Sequence, residues 1–333
     1  MKKILLIRFS SIGDIVLTTP VIRALKTQLH CELHVLTKNA FAGLYNTNPH
    51  LDTVHSFNEK LSEIVPSLRT ENFDFVVDLQ KNIRSFRIKQ ALKKPSASFP
   101  KLNKEKWLLV NFKLNRLPRQ HIVDRYFQAV ESLGVKNDGK GLDYFIPEKS
   151  WVDLRDFPPL KENAFVGFII GGKHQTKIFP IEKTAAVIER LPWPVVLLGG
   201  SEDRLPGEKI KEICQKQDLL NACGQLSLDQ SASIVRQAGL IITNDTGLMH
   251  IAAAFNKPVI SIWGNTIPEF GMSPYEPDHP ERLAIAEVTN LKCRPCSKIG
   301  HKKCPKNHFK CMLRQDEDSI VEKAFKLFPK ETV

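Results

Sequence analysis

The stretch Gly239–Gly264, GLIITNDTGLMHIAAAFNKPVISIWG, constrains this chain more than any other. Leu240–Ile242 is a short apolar run that suits a buried strand. Asn244-Asp245-Thr246-Gly247 breaks it. Leu248–Ala254 is rich in helix formers, Lys257-Pro258 stops that helix, and Val259–Trp263 reads as the next strand. The unit is strand, loop, helix, strand, with a polar cluster between a strand's carboxyl end and a helix N-terminus. Unpaired N–H groups and the positive end of the dipole make such a place fit to hold phosphate. In open parallel sheets, ligands bind beyond the carboxyl ends of the strands. Thr246 can donate a hydroxyl bond and Gly247 admits close backbone approach. Taken alone, Asp245 or Thr246 reads first as a helix cap.

The same alternation runs through the whole chain. At 333 residues the expectation is two domains. In the first half, Ile4–Phe9, Glu32–Leu36, Thr53–Phe57 and Phe75–Leu79 read as strands. Ile15–Leu29 reads as one helix with Pro20 near its start, and further helices fall around Leu61–Arg69 and Val123–Leu133. Tyr144–Leu160 reads as a linker. In the second half, Ala164–Ile170, Val195–Leu198, Leu240–Ile242, Val259–Trp263 and Leu283–Ala286 are strands. Helices are expected at Ile181–Arg190, Pro206–Lys216, Leu228–Ala238 and Ser319–Leu327. Apolar runs alternating with helices argue for an α/β fold of parallel sheets covered on both faces. The expected division is 1–155, 156–318, and a terminal segment 319–333 that packs back on the first domain.

Charge narrows the partners. The net charge is +12, and twelve basic residues stand between Lys81 and Arg119, opposed by Glu105 alone. Such a face attracts nucleic acid, anionic lipid or a phosphorylated substrate, or is simply a solvated surface. No apolar run approaches the roughly 18 residues that span a bilayer. Arg8 interrupts the N-terminal apolar run after Ile4–Ile7, so that run reads as the first buried strand of a cytoplasmic protein rather than a signal peptide.

Several nucleotide motifs fail. There is no Gly-x-Gly-x-x-Gly. Gly167–Lys173 has the spacing of a P-loop, but His174 stands where Ser or Thr should follow, and the first half lies inside a strand. What remains is a set of polar residues at strand ends: Asp14 beside Gly13, Gly171–Lys177, Gly199–Asp203 and Asp245–Gly247. In two doubly wound halves these ends would face one cleft, with a phosphorylated donor on the second domain and an acceptor on the first.

Three ordered motifs carry a resemblance. Arg8-x-Ser10-Ser11-Ile12-Gly13-Asp14-Ile15-Val16, Thr176-Lys177-Ile178-Phe179-Pro180 and Asn244-Asp245-Thr246-Gly247-Leu248-Met249-His250 resemble the bacterial lipopolysaccharide heptosyltransferases, the ADP-heptose-dependent members of glycosyltransferase family 9. Asp78-Leu79-Gln80, His121–Tyr126, Leu197–Asp203 and the C-terminal cysteines also have counterparts there. The resemblance implies a GT-B fold of two facing Rossmann-like domains and an inverting transfer that requires no cofactor or metal. It implies Asp14 as general base and Lys177, beside Thr176, as the cation that neutralises the diphosphate. Lys173 is the alternative for that cation. Glu202 matches the ribose-contacting acid, Leu226 an adenine-side backbone position, and Asp245, Thr246 and Gly247 the diphosphate and sugar loop. His250 lies one turn further on. The implied partners are an ADP-sugar and an anionic glycolipid, the lipopolysaccharide inner core, at the cytoplasmic face of the inner membrane. Arg84, Arg87 and Lys89 are expected to face that acceptor or surface, and no nucleic acid is expected.

Cys293-x2-Cys296-x7-Cys304-x6-Cys311 is a local group that can hold a structural zinc or remain as free or partly bridged thiols. Cys31, Cys214 and Cys223 read as buried small hydrophobes. Two other functions compete: a sugar-nucleotide epimerase or noncatalytic binder of similar fold, and a zinc-containing nucleic-acid-binding protein. Asp14 separates the first from a transferase, because a binder needs no base. The second leaves the strand-end motifs unexplained.

Overall fold

The computed structural model describes residues 1–329 and divides into two compact units. The first comprises Met1–Leu102 and Gln120–Phe145; the second comprises Asn103–Arg119 and Ile146 onward. Each is built on one parallel sheet.

In the first unit the strands are β1 (Lys3–Ile7), β2 (Glu32–Lys38), β3 (Thr53–Phe57), β4 (Phe75–Asp78) and β5 (Ser96–Ser98), in the order β3-β2-β1-β4-β5. The helices are α1 (Ile12–Val16), α2 (Thr19–Leu29), α3 (Asn39–Asn46), α4 (Val65–Thr70) and α5 (Ile83–Leu92). Next in the chain is α6 (Asn103–Phe112), which belongs to the second unit, and then α7 (Ile122–Phe127), which belongs to the first. The single helix expected over 15–29 is two. Pro20 sits in the first turn of α2, where its missing N–H costs no bond, and the chain turns at Leu17-Thr18 before it.

In the second unit the strands are β6 (Val166–Ile169), β7 (Val195–Leu198), β8 (Leu219–Asn221), β9 (Leu240–Asn244), β10 (Val259–Trp263) and β11 (Leu283–Glu287), in the order β11-β10-β9-β6-β7-β8. Its later helices are α8 (Ile181–Glu189), α9 (Arg204–Ile213), α10 (Leu228–Gln237), α11 (Gly247–Ala254), α12 (Lys310–Leu313) and α13 (Glu317–Leu327).

The strand runs are continuously apolar because both faces of the second sheet are covered. Val166, Phe168, Val195, Leu197, Leu240 and Ile242 join one core. Phe165, Ile169, Val196, Leu198 and Ile241 alternate with them into the other. In the first unit Leu5, Ile7, Leu36 and Val76 pack with Phe57, Phe73 and Ile88.

Each sheet reverses its winding once. The chain moves outward through β1, β2 and β3, then crosses back to β4 beside β1; likewise β9 returns beside β6 after β7 and β8. Ligands of doubly wound sheets sit at the carboxyl ends beside such a reversal.

Three expectations are corrected. The terminal helix, expected on the first domain, belongs to the second unit: Ile320, Val321, Ala324 and Phe328 enter its core, and Phe328 stacks on Trp193 at 3.8 Å. Residues 330–333 of that expected segment lie outside the described ones. The expected linker is ordered from Ile146 onward with the second unit, where Val152 and Leu160 are buried. The basic run divides: Lys104–Arg119 lies in the second unit, with Leu109 buried against Ile267 and Phe270. Among the described residues no helix is long and apolar enough to cross a membrane.

Candidate active site

At the first reversal, β1 is followed by Arg8, whose buried guanidinium joins four chain segments. Its Nη1 donates to the Leu79 carbonyl at 2.6 Å, at the end of β4, and to the Tyr126 hydroxyl oxygen at 3.0 Å, from α7. Its Nε donates to the Ser10 carbonyl at 2.9 Å. Its Nη2 pairs with Asp14 Oδ1 at 2.6 Å. The second carboxylate oxygen of Asp14 accepts from the Ser11 hydroxyl at 2.9 Å and the Ser11 N–H at 3.2 Å. Burial alone would loosen the Arg8 proton, but the Asp14 charge holds it more firmly than usual. Asp14 is thus paired, fixed in direction and a quarter exposed, with 26% of its side chain reached by solvent. That exposure lets an incoming hydroxyl reach it.

Beside it, at the end of β4, Asp78 is almost fully buried. It accepts from Lys81 N at 2.7 Å, Gln80 N at 3.1 Å and Ser85 Oγ at 2.9 Å, and pairs with Lys89 Nζ at 3.1 Å. Lys89 therefore does not face outward as expected: a buried carboxylate needs a cation, and Lys89 supplies it. Arg84 and Arg87 of α5 are exposed, next to exposed Ile83 and Phe86.

At the second reversal, the corresponding buried side chain is Asn244, at the end of β9. Its Nδ2 donates to the Ile170 carbonyl at 2.8 Å, at the end of β6, and its Oδ1 accepts from Phe179 N at 3.1 Å. This fixes the loop that carries Lys177 against the β9 end. Lys177 Nζ pairs with Asp245 Oδ2 at 2.5 Å, and the same oxygen accepts from Thr266 Oγ1 at 2.9 Å. Asp245 so orients the lysine rather than standing free for a sugar. Gly247 opens α11, and Thr246 precedes it without using its hydroxyl as a cap. That Thr246 Oγ1 and both amide atoms of Asn265, which follows β10, are buried with no hydrogen-bond partner in the protein. Buried polar atoms left unpaired call for a ligand or water, since each costs about 1–3 kcal/mol.

Thr176 departs from its expected role. Its hydroxyl accepts from His301 N at 2.8 Å and donates to His301 O at 3.1 Å, so it anchors the 296–301 loop instead of a donor. Lys173 is exposed. His250 is buried within α11. Glu202 is exposed after β7, while its neighbour Asp203 turns inward and accepts from Gly200 N at 2.8 Å. A Cβ at Gly171 or Gly199 would strike the Asp203 side chain at 2.3 or 2.7 Å, so the two glycines make room for it. Leu226 is half-buried against the second core.

Asn265 and Thr266 are absent from the strand-end residues that the sequence reading singles out, and Asp203, rather than Glu202, is the acid turned inward after β7. The signal was present: Asn265-Thr266 follows the strand Val259–Trp263 by one glycine.

All seven cysteines are free thiols. Burial pushes the Cys311 thiol up to about 11, and its three loop neighbours add to the shift. Burial would also raise Cys304, but the backbone N–H groups of residues 306–309 outweigh it and bring it below the usual thiol range. The sulfurs are close enough to feel one another, yet no three of them gather at ligand spacing. Among the described residues the donor set that does so is His34, His55 and Glu71. As placed, the sulfurs do not form the tetrahedral thiolate site that their spacing in sequence allows.

The sequence pattern of "Glycosyltransferase family 9 (heptosyltransferase)" matches residues 62–306, which include Lys177, Asn244 and Asp245 and begin after Asp14. Lipopolysaccharide heptosyltransferase 1 of Campylobacter coli is 28% identical over 288 residues, 79% of this chain and 84% of its own. The glycosyl transferase family 9 structure from Veillonella parvula DSM 2008 superposes with a TM-score of 0.80 at 23% identity, covering 98% of this chain and 97% of that one. E. coli ADP-heptose lps heptosyltransferase II superposes at 0.71 with 19% identity, covering 98% of both. These two likenesses carry the fold, which is of the GT-B class, and the pattern match carries the family. The chain belongs to glycosyltransferase family 9, the heptosyltransferase family, and is a glycosyltransferase.

Proposed function

We propose that this enzyme transfers a heptose from an ADP-heptose donor to the inner core of lipopolysaccharide, with inversion at the anomeric carbon. The observation that carries the reading is the end of β9. Lys177 is held there by Asp245, at the start of a helix whose neighbouring Thr246 hydroxyl and Asn265 amide are buried and unmatched. A diphosphate supplies acceptors for the hydroxyl, the amide donors and the first-turn N–H groups together. As the glycosidic bond breaks, charge grows on the leaving phosphate, and the fixed Lys177 ammonium and the α11 terminus offset it without a metal ion. The donor and acceptor follow the names of the relatives: the Campylobacter coli protein acts on lipopolysaccharide, and the E. coli structure is named for ADP-heptose.

On the first unit, Asp14 acts as general base. It takes the proton of the acceptor hydroxyl as that oxygen attacks the face opposite the departing ADP. Arg8 keeps the carboxylate aimed. Glu202 binds the ribose. The enzyme works at the cytoplasmic face of the inner membrane as a peripheral protein.

The test is incubation of the purified enzyme with ADP-heptose and a deacylated inner-core acceptor, with and without EDTA. The product's anomeric configuration is read by NMR. Transfer with inversion that survives EDTA supports the reading. Retention, dependence on magnesium or manganese, or ADP-heptose turnover without an acceptor product overturns it.

A further inference from the structure

At the opposite end of the first sheet from Asp14, three strands bring together groups that the glycosyl transfer does not use. His34 on β2 and His55 on β3 stand diagonally across two paired parallel strands, since Leu36 rather than His34 is the register partner of His55. His34 Nδ1 lies 2.8 Å from His55 Nε2. The other His34 nitrogen, Nε2, lies 2.9 Å from Glu32 Oε1. Glu71, just after α4, completes the group, and its carboxylate and the two imidazoles have ligand atoms within 4.8 Å of one another. Phe73 packs edge-on against the His34 ring at 5.2 Å and the His55 ring at 6.2 Å, forming an apolar wall.

The hydrogen bonds fix the chemistry. A carboxylate only accepts, so His34 Nε2 carries the proton toward Glu32. With that proton on Nε2, the other nitrogen, Nδ1, shares one hydrogen with His55 Nε2 across the short contact. A carboxylate behind one histidine nitrogen, with the other nitrogen open toward a second donor, is the arrangement that orients metal-binding histidines. Lys3 is the one cation in the group, 3.0 Å from Glu32 and 2.9 Å from Glu71. One lysine against two carboxylates leaves an excess of carboxylate beside the two rings, which favours a divalent cation in place of the shared hydrogen.

The geometry points to a binding site for a first-row divalent transition cation, zinc above all, formed by His34 Nδ1, His55 Nε2 and the Glu71 carboxylate. Glu32 is the residue that positions His34. Two imidazoles and one carboxylate suit Zn²⁺ with a fourth position left to water. The two rings need part by only a few tenths of an ångström to admit it, because ligands at about 2.0–2.1 Å in tetrahedral geometry stand a little over 3 Å apart. Bound there, the ion ties β2 and β3 to the turn after α4. It stabilises the first unit by mass action and takes no part in glycosyl transfer.

The test uses the full chain and Co²⁺ alone as a spectroscopic probe, followed by Zn²⁺ competition. The expected result is stoichiometric uptake with visible d–d bands and no thiolate-to-cobalt charge transfer. The thermal midpoint should rise by on the order of a few degrees. Affinity should fall at least about tenfold in Glu71→Gln and in His55→Gln, and about tenfold in Glu32→Gln, which removes only the orienting charge. Lys3→Met should bind more tightly, because the competing cation is gone; a purely structural role for the cluster would not produce that gain. Glu71 is partly exposed, so its variant keeps the test open if His55→Gln fails to fold. Uptake showing only thiolate charge transfer, or affinity unchanged in Glu71→Gln, overturns the inference.

Discussion

The two sheets reverse their winding in the same way, and at each reversal one buried polar side chain bridges the two strand ends. In the first unit it is the Arg8 guanidinium; in the second it is the Asn244 amide. The charge of that bridge decides what the site can do. A buried guanidinium needs a counter-charge, and it fixes the direction of the Asp14 carboxylate. A neutral amide binds only backbone, so the loop ends around it keep unmatched donors at Thr246 and Asn265. The first site therefore carries a carboxylate whose bonds are largely made within the protein. The second carries bonding capacity that a ligand completes. Substitutions in the first unit should act on the chemical step and those in the second on affinity.

The largest effect is expected from Asp14→Asn, which keeps the shape but cannot accept the proton. Turnover should fall on the order of a hundredfold or more while ADP affinity, read by calorimetry, is kept. The variant leaves Arg8 without its counter-charge, so a modest loss of stability accompanies it and the kinetics must be read on folded protein. Near-normal turnover would break the comparison, leaving Asp14 as a partner of Arg8 and nothing more.

Lys177→Ala comes next and should show the opposite pattern. ADP affinity and turnover should fall together, roughly 10–100-fold, since the lysine meets the diphosphate before and during bond breaking. Asp245 keeps Thr266 as a partner, so the loop itself should hold. Unchanged ADP affinity would move the role to the exposed Lys173 or to the α11 terminus.

Much of this plan was legible in the sequence, because parallel strands buried on both faces must be continuous apolar runs. Val166–Ile169, Val195–Leu198 and Val259–Trp263 are such runs, and the polar residues following them mark the ligand end. Short edge strands were not legible: Ser96–Ser98 and Leu219–Asn221 have three residues each and carry too little pattern. Position in the chain also misled. Leu109 follows the first sheet in sequence but enters a cluster with Ile267 and Phe270, a choice made by packing rather than adjacency. Lys89 looked like part of a basic surface until the burial of Asp78 gave it a partner. Cysteine spacing suggested metal where the sulfurs do not converge. The histidines whose ring atoms do converge are 21 residues apart and meet only through strand register.

A third prediction concerns pH and the second unit alone. Glu276 is buried, with Arg282 Nη1 no nearer than 3.6 Å, and burial pushes its carboxyl up to about 7. A folded-state value above the unfolded one means that the folded chain binds the proton more tightly. Stability from this group is full below about 4.5 and is lost as pH rises through about 7. Glu276→Gln keeps the shape without the charge. It should stabilise the protein at pH 8 by on the order of 1–2 kcal/mol and have little effect at pH 4.5. Urea midpoints at the two pH values check this. Equal shifts at both would mean that the carboxyl is already solvated.

The smallest expected effect returns to the first unit and asks whether its surface meets an anionic acceptor. Arg84 and Arg87 lie on the exposed face of α5, near the buried Asp78–Lys89 pair, while Ile83 and Phe86 stand beside them at 73% and 56% exposure. Basic and apolar side chains together suit shallow contact with an anionic glycolipid layer. Each arginine near such a surface adds roughly 1 kcal/mol, and the gain fades within a Debye length as salt rises. Changing both to Ala should therefore raise the acceptor KM by roughly 3–10-fold at low salt, weaken binding to anionic vesicles in parallel, and leave ADP affinity as it was. Because Lys89 is held inward by Asp78, Lys89→Ala should behave differently, lowering stability through an uncompensated buried carboxylate rather than loosening vesicle binding. If the double arginine variant binds vesicles and acceptor as well as the parent at low salt, this face of α5 is a solvated surface. The acceptor would then be held by the carboxyl ends of β1 and β4 alone.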